Sequence, residues 1–291
     1  MLEPKSYPLG QTQLNPLMAA TAGNPAIAIG IIDGPTDLSH PDLQQAKIQE
    51  LSNADCEAID SLACLHGTFT AGMLAADRSS QAPALCPDCT FILRPIFCEA
   101  GRDRPPCPEV TPEQLAEALQ ETLNAGAKIV NLSLGLSAPR LLSAPELQKT
   151  FDRARRLGAL VVAASGNLQQ MGPVPLFDHP WVIPVAASDR FGRITPGSNT
   201  GLSVGRRGLM APGQQIVSTA PGGGYTATSG TSTAAPFVTG AIALLWSLYP
   251  NASAAEIRRA ILRPDIRRRS IAPPRLDARA SWQQLEQSYV Q

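Results

Sequence analysis

Three side chains suited to acyl transfer stand where a backbone can present them. Asp33 follows the apolar run Ala26-Ile27-Ala28-Ile29-Gly30-Ile31-Ile32 and precedes the turn signal Gly34-Pro35. His66 leads His66-Gly67-Thr68, with small residues after it. Ser232 lies in Gly230-Thr231-Ser232-Thr233-Ala234-Ala235-Pro236, ahead of the apolar segment Phe237 to Tyr249. A serine hydroxyl becomes a useful nucleophile only with a base in reach, an orienter for that base, and donors for the oxyanion. His66 can be the base and Asp33 the orienter. Asn167, in the turn Ser165-Gly166-Asn167, can be an oxyanion donor. Each has a plainer reading. Ser232 could be a helix N-cap, a position serine favours. His66 could be structural, as expected of the other two among the chain's 3 histidines, His40 beside Pro41 and His179 between Asp178 and Pro180.

The elements that must hold these residues read as α/β. The run before Asp33 is short, apolar and β-branched, the mark of a strand buried on both faces. Asp33 then stands at the C-terminal end of a parallel strand, where open α/β sheets place their sites. Phe91 to Ile96, Lys128 to Leu134, Ala159 to Ala164 and Trp181 to Ala187 read as further core strands. Helices fall between them. One opens at His66. Thr111-Pro112-Glu113 caps another, with Leu115, Leu119 and Leu123 on one face and Gly126 ending it. Ser143 caps a third, with Leu147, Phe151 and Ala154 inward and Gly158 at its end. The recurrence predicts a mainly parallel central sheet in a three-layer helix/sheet/helix arrangement. Leu209 to Ala211, Ile216 to Ala220 and Tyr225 to Ser229 are short and bounded by Gly or Pro, and read as antiparallel additions. Phe237, Val238, Ala241, Ile242, Leu244, Leu245 and Leu248 make the helix after Ser232 apolar all round, hence buried, with Pro236 in its first turn. Ser253-Ala254-Ala255-Glu256 is a capping box for a helix to Leu262. Residues 1–25 form a lead-in with one short helix from Leu14 to Thr21, 26–270 the main domain, and 271–291 a tail with a short helix from Ser281 to Tyr289.

The bulk composition narrows the partners. The 291 residues are 44% hydrophobic and 16% charged, with a formal net charge of +0. No general field draws in nucleic acid or an anionic membrane. The apolar helix after Ser232 reads as too short and too broken by small polar residues to cross a bilayer. No signal-peptide pattern opens the chain, so a cytoplasmic location is expected. The 6 cysteines, Cys56, Cys64, Cys86, Cys89, Cys98 and Cys107, cluster in one third of the sequence. They are open to three readings: disulfides, a metal site or buried thiols. Cys86-Pro87-Asp88-Cys89 lacks the second pair a zinc ribbon needs, and it precedes a strand rather than opening a helix. Arg258, Arg259, Arg263 and Arg267 to Arg269 read as a solvated basic surface, with a docking patch as the other reading.

Ile31-Ile32-Asp33-Gly34, His66-Gly67-Thr68, Ala164-Ser165-Gly166-Asn167 and Gly230-Thr231-Ser232 resemble the signature segments of the subtilisin-like serine proteases, in the order Asp, His, Ser. The likeness spans roughly Ala26 to Leu262. It implies a subtilisin-like fold and a serine endopeptidase with Ser232 as nucleophile, His66 as general base and then acid, and Asp33 as orienter. Asn167 and the Ser232 N–H would form the oxyanion hole. Ser133-Leu134-Gly135 would pair with a peptide or protein substrate as an extra strand. No cofactor or metal is implied. Two positions depart from the family's pattern: Phe69 and Phe237 stand where histidine is usual. The stretch Asp77 to Pro83 reads as a shortened form of the family's calcium loop, so no tight calcium site is expected there. About thirty residues precede Asp33, too few for the folding propeptide of secreted members. Within the family, Ile32 to Pro41, Cys89 to Phe97, Ala211-Pro212-Gly213 and Gly222-Gly223-Gly224 resemble the cyanobactin-maturing proteases, which trim ribosomal precursor peptides. The Asp33–His66 spacing leaves no room for the helical insertion of the ring-closing subset, so plain hydrolysis is expected. The alternatives are a catalytically silent scaffold that binds peptides or partners, and a redox sensor centred on Cys86 and Cys89.

Overall fold

The computed structural model describes residues 6–52, 55–99, 107–133, 145–172, 174–262 and 270–289. The apolar run before Asp33 forms β1 (Ala28–Asp33). It pairs in parallel with β3 (Thr90–Pro95) on one side and β4 (Ile129–Leu132) on the other. With β2 (Lys47–Glu50), β5 (Leu160–Ala164), β6 (Val182–Ser188) and β7 (Leu209–Pro212) they make a 7-stranded sheet in the order β2-β3-β1-β4-β5-β6-β7. Each neighbouring pair is parallel. Successive side chains enter opposite layers, as the pleat requires. Ile29 and Ile31 enter one core and Ile32 the other; Leu160, Val162 and Ala164 enter the first and Val161 and Ala163 the second.

The first core is closed by α3 (Leu62–Ala75) and α7 (Thr231–Leu248), with α1 (Ser6–Thr12), α2 (Asn15–Ala20), α8 (Ala254–Leu262) and α9 (Ala278–Tyr289) packed around them. The second lies under α4 (Pro112–Asn124), α5 (Pro145–Leu157) and the short α6 (Leu202–Arg207), which contributes Val204. This is the expected three-layer fold. Local chemistry sets the ends of its helices. Thr111 Oγ1 accepts from Gln114 N at 3.3 Å while Gln114 Oε1 accepts from Thr111 N at 2.9 Å, a reciprocal capping box. Gly126 and Gly158 adopt φ of +94° and +71°, values that only glycine takes without strain.

Several details differ from the sequence reading. β7 is not an antiparallel addition: it pairs in parallel with β6 and ends the main sheet. The other two, β8 (Ile216–Ala220) and β9 (Gly224–Thr228), do form an antiparallel pair. β2 is a strand for which the sequence reading offered no element, because its Lys-Ile-Gln-Glu sequence carries the polar signature of an edge strand. The lead-in holds two helices rather than one, and Leu9, Leu14 and Leu17 enter the first core. Pro236 lies inside α7 rather than in its first turn. Its missing N–H leaves the carbonyl of Ser232 without the usual i+4 donor. The 18 residues of α7 are long and apolar enough to match a bilayer core, contrary to expectation, yet 83% of that window is buried inside the protein. Leu134, Gly135, Ser143, Arg263 and Arg267 to Arg269 lie outside the described residues.

Candidate active site

Asp33 ends β1 with only 1% of its surface exposed. Its Oδ1 accepts from Gly34 N at 2.7 Å and lies 2.5 Å from His66 Nδ1. A carboxylate only accepts, so Nδ1 carries the hydrogen and the Nε2 lone pair is left for another proton. Burial alone would lower the His66 pKa. The Asp33 charge and hydrogen bond outweigh it and hold the imidazole above its ordinary value. The ring keeps 37% of its side-chain surface exposed.

His66 does not open its helix, as the sequence suggested, but sits in the second turn of α3. The N-cap is Ser61, whose Oγ accepts from Cys64 N at 3.0 Å. The signal was legible as a serine just ahead of an apolar run. Four further contacts fix the helix. A Cys56–Cys64 disulfide ties its first turn to the preceding loop. Thr68 Oγ1 accepts from Asp37 N at 2.8 Å, pinning it to the loop after β1. Ser218 and Thr219 of β8 donate their hydroxyls to the carbonyls of Phe69 and Thr68 at 2.8 and 2.7 Å.

Ser232 is the second residue of α7, and its cap is Gly230 at φ +150°. The plain capping reading of Ser232 therefore fails. The turn is stitched to the end of β5 from both sides. Thr231 N donates to Asn167 Oδ1 at 2.9 Å, and Gly166 N donates to Thr231 Oγ1 at 3.0 Å. Because Oδ1 is taken, the Asn167 amide is oriented, and its Nδ2 donor is left for another acceptor. Asn199, buried to 5% exposure, accepts from Leu168 N and Gln170 N at 3.0 Å and shapes the loop beyond. No periodicity or motif marks it in the sequence.

Two hollows meet here. One, of about 690 Å³, is lined by His66, Ser133, Asn167, Leu176, Phe177 and Ser232 among others. The smaller, of about 270 Å³, has Leu65, Phe69 and Thr233 together with the same His66 and Ser232. The histidine and the serine thus stand at the junction of both. Ser133 Oγ accepts from Asn131 Nδ2 at 2.7 Å on the cleft wall. Its expected companions Leu134 and Gly135 are outside the described residues.

The other candidates go elsewhere. His40 is buried, bonded to Gly224 O at 2.9 Å and accepting from Asp42 N at 3.1 Å. His179 accepts from Trp181 N at 3.2 Å and meets Asp152 at 3.3 Å. Both are structural. Phe69 and Phe237 are buried at 4% and 0% exposure, so apolar packing fills the positions where the family has histidine. Of the cysteine readings, Cys56–Cys64 and Cys98–Cys107 are disulfides, and Cys86 and Cys89 are buried free thiols. Burial pushes the Cys86 thiol well up, and its hydrogen bond lowers that of Cys89. Cys56, Cys64 and Glu99 come within metal-ligand reach of one another, but the bridge consumes both thiolates.

The model of the subtilase family of S8 peptidases matches residues 24–265. A thermophilic serine proteinase of Bacillus sp. (strain AK1) is 32% identical over 243 residues, 83% of this chain and 57% of that protein. Subtilisin DY of Bacillus licheniformis is 30% identical over 237 residues, 80% of this chain and 81% of that one. The chain thus spans little more than half of the first relative. Among solved structures, the prenylagaramide maturation protease PagA superposes with a TM-score of 0.80 at 27% identity, covering 94% of this chain and 98% of its own. The patellamide maturation protease PatA gives 0.76 at 30% identity, covering 91% and 98%.

Proposed function

We propose that this chain, which belongs to the subtilase family, is a serine endopeptidase that works through Ser232, His66 and Asp33. The observation that carries the reading is the Asp33–His66 pair at 2.5 Å beside the wall that His66 shares with Ser232 and Asn167. Ser232 Oγ attacks the scissile carbonyl carbon as His66 Nε2 takes its proton. Asp33 holds the tautomer and stabilises the imidazolium. Asn167 Nδ2 and the Ser232 N–H receive the oxyanion. The carbon–nitrogen bond then breaks, and the His66 proton passes to the leaving amine. Water, deprotonated by His66, attacks the Ser232 ester and releases a carboxylate and the free hydroxyl. Ser133, Leu134 and Gly135 align the substrate backbone on this reading.

Precursor peptides are the substrate class that fits best. Support comes from the segments quoted above and from likeness to maturation proteases at 27% and 30% identity. Between β1 and α3, the described residues hold a short turn at Pro41–Leu43 and β2, with no helical insertion, which favours plain hydrolysis. We place the reaction in the cytoplasm, as the sequence suggests. A reducing poise there acts on the two bridges, so thiol trapping in lysate decides between that compartment and an oxidising one. The primary test is a fluorophosphonate probe. It should label the native protein and not Ser232→Ala; folded native protein that stays unlabelled overturns the assignment. Mass spectrometry of products from a precursor-peptide panel tests the substrate class.

A further inference from the structure

A third hollow, of about 1080 Å³, does not have Ser232 in its lining. Its walls are the segments that leave β6 and β7, Asp189 to Arg193 and Gln214-Gln215, together with α1 and Arg275. The strands are parallel, so this hollow shares one rim of the sheet with the cleft, whose residues leave β1 and β5. β5 and β7 are two strand spacings apart, about 10 Å. Hollow and cleft are also joined by hydrogen bonds. Gln215 N donates to Ser229 Oγ at 2.9 Å and Gly230 N donates to Gly213 O at 2.8 Å, directly ahead of the Ser232 turn.

The lining is cationic and aromatic. Phe191 is 63% exposed, with the guanidiniums of Arg190 and Arg193 at 4.8 and 4.9 Å from its ring centre. Arg193 is held by Asp189 at 2.9 Å. Arg190 and Arg275 have no carboxylate partner among the described residues. On the floor, the Tyr7 hydroxyl is buried with no hydrogen-bond partner. Burial, and then the charge of Asp189, push its pKa to about 12, so it stays a donor. Gln11, bonded to Asp189 O and Ser188 Oγ at 3.0 and 2.8 Å, fixes α1 as the floor. Two guanidiniums without a carboxylate partner and an exposed ring give this concave surface a positive charge, because Asp189, the carboxylate in its lining, is engaged by Arg193. That chemistry recognises carboxylates on a partly apolar chain.

We propose that this hollow is an accessory site for an acidic segment of the peptide substrate, with carboxylates on Arg190 and Arg275 and apolar atoms against Phe191. The proposal rests on the reading of the chain as a peptidase. About three extended residues span the ~10 Å between β5 and β7, so one peptide can reach from the cleft into the hollow. A peptide is favoured over a nucleic acid because the site continues the cleft rim and the chain carries no net charge to concentrate phosphates.

The first measurement is fluorescence anisotropy with labelled hexaglutamate on the Ser232→Ala protein, where no cleavage interferes. Binding should be absent with hexaglutamine and should weaken roughly five- to tenfold in Arg190→Ala/Arg275→Ala, whose exposed side chains leave the fold intact. Hexaglutamine binding as tightly, an unaffected double variant, or displacement by oligothymidylate at a lower concentration than hexaglutamate overturns the site. The second measurement compares a cleavable library peptide with and without a glutamate tail. The tail should lower KM in the native enzyme but not in the double variant, and the untailed peptide should be cleaved alike by both. A tail that leaves KM unchanged also overturns the site. Acidic-peptide binding by a protein that hydrolyses nothing would remove the peptidase reading and leave the site standing.

Discussion

Gly67 of α3 meets Pro35 of the loop after β1 so closely that a methyl group on its Cα would lie 2.2 Å from the Pro35 carbonyl oxygen. The contact is mirrored by Gly34, where a methyl group would lie 1.9 Å from Ala63 O. Both obstacles are backbone atoms, which cannot rotate aside. This approach lets Asp33 and His66 reach each other from two different elements. Gly67→Ala should therefore destabilise the fold by about 3 kcal/mol and lower kcat by roughly a hundredfold through displacement of the imidazole. Thermal melts and peptide hydrolysis check it. A variant with native stability and native rate would show that the helix can retreat without cost.

The sequence made this arrangement legible in some parts and not others. Buried parallel strands are apolar throughout, and β1, β3, β4, β5 and β6 could be placed within a residue or two. β2 and β7 could not: one is a polar edge, and the other sits among short Gly- and Pro-bounded runs that resemble hairpin strands. Asp33, His66 and Asn167 each have a glycine directly beside them, and Gly230 lies two residues before Ser232, all at places where chain segments touch. Asn199 was not readable. Its work is hydrogen bonding to backbone distant in sequence, and nothing local records it. Cysteine pairing was equally hidden, since spacing alone cannot choose between bridges, thiols and a metal.

The Cys56–Cys64 bridge closes a short loop directly onto the first turn of the helix that carries His66. For a loop of this length, the chain-entropy argument gives about 2.5 kcal/mol. Cys56→Ser/Cys64→Ser should lose roughly that much in denaturant melts. Its activity should fall more steeply on warming than the native enzyme's, as the α3 start frays. Dithiothreitol should reproduce the effect in the native protein and leave the double variant unchanged. An effect of equal size in both would implicate the Cys98–Cys107 bridge instead.

Asn167 does two jobs that substitution can separate. Its Oδ1 accepts from Thr231 N and anchors the start of α7, while its Nδ2 is the donor proposed for the oxyanion. Asn167→Ala removes both. It should cost about 10²–10³ in kcat, a range known from subtilisin rather than derived from this geometry, and about 1 kcal/mol of stability. Asn167→Asp keeps an acceptor at the helix start, where negative charge is favoured, but supplies no donor. It should retain native stability while losing as much kcat. If Asn167→Asp hydrolyses peptides at the native rate, the side chain is only an anchor.

The pH profile follows from the sign of the His66 shift. As general base the imidazole must be neutral, and Asp33 holds its pKa above the ordinary value of about 6.5. The acid limb of kcat/KM should therefore have its inflection above that value, with activity still rising as pH passes through neutrality. The same shift makes the protonated ring a stabilising group. That stability is fully present below pH ~6.5 and is lost as pH rises through the higher folded-state value, so the native melting temperature should drift down across this window. Asp33→Asn removes the charge that raises the pKa but leaves the burial that lowers it. The inflection should move below that of the native enzyme, and kcat should fall by about 10⁴ because the tautomer is no longer enforced. Rate profiles and melts of the two proteins over the same pH range test both consequences. An inflection that does not move on losing Asp33 would mean that the group titrating in the profile is not His66.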